Sequence, residues 1–142
     1  MVKIEKHDFP DNLYFHKDHM WAKVEGDKVR VGYNSWAAKA AGTLVSMKTR
    51  PAGKSIKAGK TLGSVESGKW VGSLKVPVSG KILEINPALA NNPAVINDDS
   101  YVNGWIALIA ASNLEAELAD LMKGSDKDAL EKWLKEEIAK TA

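Results

Sequence analysis

Lys69 is the residue of this chain best placed by its neighbours to meet chemistry carried out elsewhere. Residues 61–75 read Thr-Leu-Gly-Ser-Val-Glu-Ser-Gly-Lys-Trp-Val-Gly-Ser-Leu-Lys, with apolar runs at 62–65 and 70–74 on either side of Ser67-Gly68-Lys69. Glycine at the first central position of a two-residue loop suits a type II′ hairpin turn, which needs φ > 0 there. With Gly68 and Lys69 as the central pair, the amine stands at a hairpin apex and can enter another enzyme's cleft. The competing reading is an ordinary solvated turn lysine, one of eighteen lysines in the chain.

Few other side chains offer chemistry. His7, His16 and His19 lie in the N-terminal fifth of the chain. The His16/His19 spacing invites a metal, yet no local carboxylate set accompanies it, and a structural or surface role is expected. The serines form no nucleophile elbow and have no histidine downstream of residue 19 to serve as a base. Gly63, Gly68 and Gly72 do not make a phosphate loop, because Lys69 is followed by Trp70 rather than Ser or Thr. With no cysteine there is neither a disulfide framework nor a thiolate metal site. The expectation is therefore a carrier or binding protein with no catalytic residues and no metal of its own.

The bulk composition agrees. A chain of 142 residues with 27% charged and 44% hydrophobic residues is an ordinary globular domain. The net charge of +2 reads as too small and too evenly spread for nucleic acid, with lysines and acids alternating and forming no block. No apolar run approaches the roughly 20 residues that span a bilayer, and the start has no signal-peptide core. A cytoplasmic protein without nucleic-acid or membrane partners is expected.

The elements that must position Lys69 are mostly short strands. Residues 1–12 suggest an extended arm. Trp21 to Glu25 alternates weakly, with Trp21 on the polar side, turns at Glu25-Gly26-Asp27, and pairs with the alternating Lys28-Val29-Arg30-Val31-Gly32-Tyr33. Ser35 to Ala41 is alanine-rich, with Asn34 or Ser35 as N-cap and Gly42 as C-cap, and predicts a short helix. A strand over 43–47, turns at Pro51-Ala52-Gly53 and Lys57-Ala58-Gly59-Lys60, and a strand over 81–85 follow. Asn86-Pro87 starts one helical turn, 91–100 is a loop, and 104–109 is the last strand. Segments 41–45 and 62–65 resemble 79–83 and 103–106 as a weak repeat, which suits two pseudo-symmetric halves with Lys69 near their seam.

The tail changes character at residue 112. Ser112-x-x-Glu115 is a capping-box pattern ahead of Leu114, Leu118, Leu121 and Met122, and Ser125 caps a second helix bearing Leu130, Trp133, Leu134 and Ile138. Asp128/Lys132, Glu131/Lys135 and Glu136/Lys140 are at i,i+4 spacing. The apolar stripes are expected to pack on the sheet. The chain is thus expected to be mainly β with α: a flattened β-barrel/sandwich hybrid of two small sheets over 1–111, with C-terminal helices over 112–142.

Several motifs in fixed order carry a resemblance over about residues 13–123. They are Tyr14-Phe15-His16-Lys17-Asp18-His19-Met20-Trp21, Val31-Gly32-Tyr33, Ala58-Gly59-Lys60, Glu66-Ser67-Gly68-Lys69, Pro77-Val78-Ser79-Gly80-Lys81-Ile82, Asn86-Pro87-Ala88-Leu89 and Gly104-Trp105. Together they resemble the glycine cleavage system H-protein family of lipoyl carriers, whose fold is a flattened barrel with a helical extension. The resemblance implies lipoate joined to Lys69 as N6-lipoyl-lysine, within a cofactor-binding hairpin of Glu66, Ser67, Gly68, Lys69 and Trp70. It implies that Glu66 helps the lipoylating enzyme (a lipoate ligase or lipoyl transferase) recognise the hairpin, and that lipoamide dehydrogenase reoxidises the arm.

The departures from the family pattern matter. Met20 stands where an acid lies near the arm in typical members, and Trp70 follows the lysine where alanine is usual. Ala41-Gly42-Thr43 replaces Leu-Gly-Asp. Trp70 either faces a partner or packs onto its own hairpin. Glu-Ser-Gly-Lys-Trp-Val-Gly is similar to the divergent lipoate-binding proteins of heterodisulfide-reductase-like sulfur oxidation. That branch implies an arm carrying a sulfur-bound intermediate to a heterodisulfide-reductase-like complex. The alternative is a glycine-cleavage H protein that carries an aminomethyl group from glycine decarboxylase to aminomethyltransferase. A biotin carrier, whose lysine normally sits between methionines, does not fit Gly68-Lys69-Trp70.

Overall fold

The computed structural model of the chain describes residues 2–4, 7–68 and 70–141, so Lys69 lies outside the described residues. Strands β1 (Val2–Ile4) and β2 (His7–Phe9) form a separate hairpin, followed by β3 (Tyr14–Phe15), β4 (Met20–Glu25) and β5 (Lys28–Tyr33). Helix α1 (Ser35–Ala41) leads to β6 (Leu44–Thr49), β7 (Ser55–Ile56), β8 (Thr61–Ser67), β9 (Val71–Lys75) and β10 (Gly80–Ile85). Short helices α2 (Ala88–Asn91) and α3 (Val95–Asp98) precede β11 (Ala107–Ala111), and α4 (Leu114–Leu118), β12 (Met122–Lys123) and α5 (Lys127–Thr141) complete the chain.

Two antiparallel sheets carry the architecture. One has seven strands in the order β12-β3-β4-β5-β11-β10-β7, and the other has three in the order β6-β8-β9. The mainly β fold with two sheets and C-terminal helices agrees with the expectation, but the sheets are unequal and do not close into a barrel. The weak repeat is kept only in part: 41–45 and 79–83 lead into β6 and β10 and 62–65 lies in β8, whereas 103–106 precedes β11. One hydrophobic cluster joins Val29 and Val31 of β5, Val65 and Leu74 of the small sheet, Ile82 and Ile109 of the large one, and Leu130 and Leu134 of α5.

The hairpin β4–β5 turns over Gly26-Asp27, with Glu25 opposite Lys28 and Gly26 at φ 70°. Lys28 and Arg30 point outward while Val29 and Val31 are buried, as the alternation predicts. The start of β4 departs from it. Met20, Trp21 and Ala22 are all buried, because the segment around Ser100 covers the face that alternation assigns to solvent. Trp21 lies over Gly32, directly across the ladder, where a Cβ would sit 2.5 Å from the indole. Its Nε1–H donates to the Ser100 carbonyl at 2.9 Å. The indole is buried without losing its hydrogen bond, which is the condition for placing Trp in a core.

Helix α1 forms as its caps predict: the Asn34 side chain accepts from the Ala37 N–H, and Gly42 ends the helix at φ 87°. The stretch 91–100, expected to be a loop, contains α3 instead. Its Asn97 binds three backbone groups, accepting from the Leu44 N–H at 2.9 Å and donating to the carbonyls of Ala38 at 3.0 Å and Gly42 at 2.9 Å. The end of α1 and the start of β6 are thereby locked together by one side chain.

The tail differs from the sequence reading in three places. The Ser112/Glu115 capping box does not form; α4 starts after Asn113 without a side-chain cap. Met122 is in β12, paired with Phe15, rather than on a helix. Asp126 rather than Ser125 caps α5, its Oδ1 accepting from the Ala129 N–H at 3.2 Å. Leu130 and Leu134 are buried as expected, and Trp133 and Ile138 pack against the core. Lys135 pairs with Glu131 at 2.9 Å, whereas Lys140 turns to Glu137 at 3.0 Å rather than to Glu136.

Helix α5 is fastened to the loop before β4. Trp133 Nε1–H donates to the Lys17 carbonyl at 3.1 Å, and Glu137 lies 3.1 Å from His19 Nε2. His19 sits at φ 80°, with its ring centroid 5.2 Å from Trp36 and 5.4 Å from Trp133. Burial pushes its pKa below the ordinary value; Glu137 and Asp18 act against this, and Lys140 and His16 add to it. Burial lowers His16 in the same way, with Asp18 opposing and Lys17 assisting.

Two outcomes follow for stability. Asn97→Ala strands the Leu44 amide and two carbonyls and is expected to lower the unfolding free energy by about 1–3 kcal/mol in denaturant titration. His19 binds a proton more readily unfolded than folded. Its contribution is therefore present above its ordinary pKa of 6.5 and is lost as pH falls through the lower folded value. Thermal midpoints should drop as the pH is taken below 6.5. His19→Asn, which tolerates the left-handed backbone, should flatten part of that drop; an unchanged slope would contradict the assignment.

Candidate functional site

The candidate site is the turn end of the β8–β9 hairpin. The ladder sets Thr61 opposite Lys75, Gly63 opposite Leu74, Ser64 opposite Ser73, Val65 opposite Gly72 and Glu66 opposite Val71. Ser67 N–H donates to the Trp70 carbonyl at 2.8 Å, which closes a loop of the two residues 68 and 69 as the sequence predicts. The turn type is a correction. The glycines with positive φ among the described residues are Gly26, Gly42, Gly53, Gly59 and Gly80, so Gly68 does not supply the left-handed residue of a type II′ turn. A Cβ at Gly68 would meet nothing within 4 Å. Neither its backbone angle nor a neighbour within the chain requires glycine there, and the space in front of it is open to an approaching molecule.

The pleat gives the hairpin two different faces, since successive side chains point to opposite sides. Val65, Gly72 and Leu74 face the core, with Val65 and Leu74 fully buried. Glu66 and Val71 face outward, and Val71 is 65% exposed. Trp70 lies on the inner side. Its ring folds back over Gly72, where any Cβ would collide with it, yet the side chain stays 40% exposed. Of the two readings of Trp70, packing onto its own hairpin is the one observed. Ser67, 4% exposed, sits at the base of the loop with its backbone in the closing hydrogen bond.

The loop is held from behind by the small sheet. Leu44 pairs with Ser67, and a bulge between Leu44 and Ser46 leaves Val45 61% exposed beside it. Asn97 accepts from the Leu44 amide of the strand next to the loop and donates to the Ala38 and Gly42 carbonyls, so one side chain ties that strand to the end of α1. Sequence reasoning missed Asn97; its only signal is an asparagine inside a polar stretch read as loop. Close backbone approach explains Gly63, whose Cβ would sit 2.0 Å from the Lys48 carbonyl oxygen.

The remaining sequence candidates lie elsewhere. Met20 is fully buried opposite Tyr33, so the position carries no charge. His16 Nδ1 accepts the Asp18 N–H at 3.0 Å, and His19 is engaged with Glu137. A cleft of about 550 Å³ lies among Phe15, His16, Gly59, Pro77, Glu117 and Trp133. Gly59 and Pro77 flank the far end of the β8–β9 hairpin, about 20 Å of strand away from the loop at ~3.3 Å per residue. Glu117 accepts hydrogen bonds there from the Ser79 N–H at 2.6 Å and hydroxyl at 2.5 Å, which ties α4 to the start of β10. This arrangement fastens a helix to the large sheet.

Comparison with known proteins agrees with this geometry. The sequence model of the family described as Glycine cleavage H-protein matches residues 13–137. The chain is 39% identical over 135 residues to a probable glycine cleavage system H protein of Thermococcus gammatolerans, covering 94% of this chain and 98% of that protein. It is 42% identical over 109 residues to glycine cleavage system H protein 5 of Aquifex aeolicus, covering 74% of each. The crystal structure of a glycine cleavage system H protein from Mycobacterium marinum superposes with a TM-score of 0.77 at 32% identity, covering 87% of this chain and 98% of that one. With a family match across most of its length and relatives well above 30% identity, the chain belongs to the glycine cleavage H-protein family.

Proposed function

We propose that the protein carries lipoate in amide linkage on Lys69 and serves as the H protein of a glycine cleavage system. Its arm takes an aminomethyl group from glycine decarboxylase to aminomethyltransferase. Proteins of this family are non-catalytic lipoyl carriers. The observation that supports Lys69 as the attachment point is the two-residue loop closed between Ser67 and Trp70, with open space before Gly68.

The chain's own part is to present and tether. On loading, the Lys69 amine would form a C–N bond to the carbonyl carbon of an activated lipoyl group, with departure of the activating group and of one amine proton to solvent. Lys69 loses its charge and does no acid–base work afterwards. When bound, lipoate supplies the sulfurs that this cysteine-free chain lacks. Glu66, exposed beside Val71, offers a carboxylate to the lipoylating enzyme. The rigid ladder behind the loop limits the search of the arm to a small volume, so successive partner sites meet it at high effective concentration. Lipoamide dehydrogenase returns the arm to its oxidised form.

A second reading is favoured by two residues. Met20 is buried and uncharged where the family resemblance puts an acid near the arm, and Trp70 lays an indole along Gly72 beside it. An arm flanked in this way suits a sulfur-bound intermediate handed to a heterodisulfide-reductase-like complex. Intact mass separates the readings. After co-expression with a lipoylating system, the wild type should gain one lipoyl increment that Lys69→Arg lacks. The holoprotein with its arm in the oxidised dithiolane form, incubated with glycine and glycine decarboxylase, should then gain an aminomethyl increment as CO2 leaves, the S–S bond breaks and an S–C bond forms. A lipoyl arm that glycine never loads would favour the sulfur reading, and no lipoyl increment would overturn both.

A further inference from the structure

The outer face of the small sheet has a charge pattern that the loading reaction does not explain. Contrary to the even spread read from the bulk composition, residues 39–83 contain nine lysines and arginines and a single acid, Glu66. The compensating acids lie mainly after residue 83. Registers in the sheet stack this segment into three cross-strand rows. Ser46, Glu66 and Val71 form the row next to the loop. Lys48, Ser64 and Ser73 form the next row. At the far end Arg50 and Lys75 converge on Thr61: the Arg50 Nε–H donates to its carbonyl at 2.9 Å, and Lys75 Nζ donates to its hydroxyl at 3.0 Å. Among the described residues, none of Lys48, Arg50 and Lys75 has a carboxylate partner.

We propose that this face docks an acidic surface of the enzyme that lipoylates Lys69, with Lys48, Arg50 and Lys75 as its electrostatic contacts. The proposal rests on the reading of Lys69 as the lipoylated residue. Later partners meet the end of a long arm, but the lipoylating enzyme must bring its active site to the lysine amine itself. It has to lie against the body of the carrier. An interface of about 800 Å² per partner is ~30 Å across, wide enough to cover the loop and the ~20 Å of sheet behind it. The face also has the make-up of a protein interface: exposed Val71 and Val45 near the loop, small hydroxyls in the middle and cations at the rim. Cations of this kind act chiefly on encounter rate and orientation. Phosphate-rich partners suit it less, because Glu66 interrupts the positive field and no described aromatic side chain stands in the two cationic rows.

The test is the kinetics of lipoyl transfer by a lipoate–protein ligase to the wild type and to the charge reversals Lys48→Glu/Arg50→Glu and Lys48→Glu/Lys75→Glu. Lys48 and Arg50 are exposed, and circular dichroism should report an unchanged fold. The expected result is a KM for the carrier raised about tenfold at constant kcat, together with loss of the salt dependence seen with the wild type. A variant restoring Lys48→Arg should behave like the wild type. Equal KM values and equal salt dependence would overturn the docking surface while leaving the lipoyl reading intact, whereas a wild type that accepts no lipoyl group would remove the reading beneath it. Capture of a 20-base-pair duplex or of phosphatidylglycerol vesicles that is lost in the variants, with KM unchanged, would also overturn the proposal.

Discussion

Burial of Val65 and Leu74 on the inner side of the three-stranded sheet sets the register on which everything displayed at its end depends. Side chains alternate with a period of two, so a slip of one residue would turn Val65 outward and Glu66 into the core. Each buried aliphatic side chain stabilises the correct register by about 1.5–3 kcal/mol, and a carboxylate forced inward without a partner opposes the slip further. Gly63 pressed against the Lys48 carbonyl gives a steric lock at the other end of β8. The loop between Ser67 and Trp70 inherits its position from these contacts and contributes little to them. Such a loop is free to be chosen for function.

The same division runs through the rest of the molecule. The large sheet, α1 and α5 bury most of the apolar surface, and the small sheet is attached to them through the core and through Asn97. Asn97 matters because its three hydrogen bonds lie between the end of α1 and the strand beside the loop. His19, held between Trp36 and Trp133 with Glu137 on its Nε2, fastens α5 at a different place and on a different principle. A carrier whose partners pull on a flexible arm gains from a body that does not deform.

Much of this was legible in the sequence where local chemistry decides the outcome. Gly26-Asp27 between alternating strands, and Asn34 and Gly42 around an alanine-rich run, formed as read, and β8 and β9 pair up to Ser67 and Trp70. What was not legible depends on contacts distant in the chain. Trp21 looked like the polar side of a strand because nothing local announces that the Ser100 segment covers it. Met122 continued a helical stripe by spacing but found a better partner in Phe15 across the sheet. The stretch 91–100 has a loop's composition, and α3 is recruited there by what Asn97 can bind. Gly68 was read through its commonest use, a positive φ, whereas its neighbours leave it open space. The charge pattern was present in the sequence throughout, but only the strand registers turn scattered lysines into rows.

On the proposed reading, strand register, and not local sequence alone, would select one lysine among eighteen. Moving the lysine by one position tests it directly, by exchanging the two loop residues in the double substitution Gly68→Lys/Lys69→Gly. Peptide mass mapping after lipoylation should find the wild type modified at Lys69 alone and the exchanged protein essentially unmodified, although its loop keeps the same composition and charge. An exchanged protein that is lipoylated as fast as the wild type, or a wild type modified at several lysines, would contradict the account.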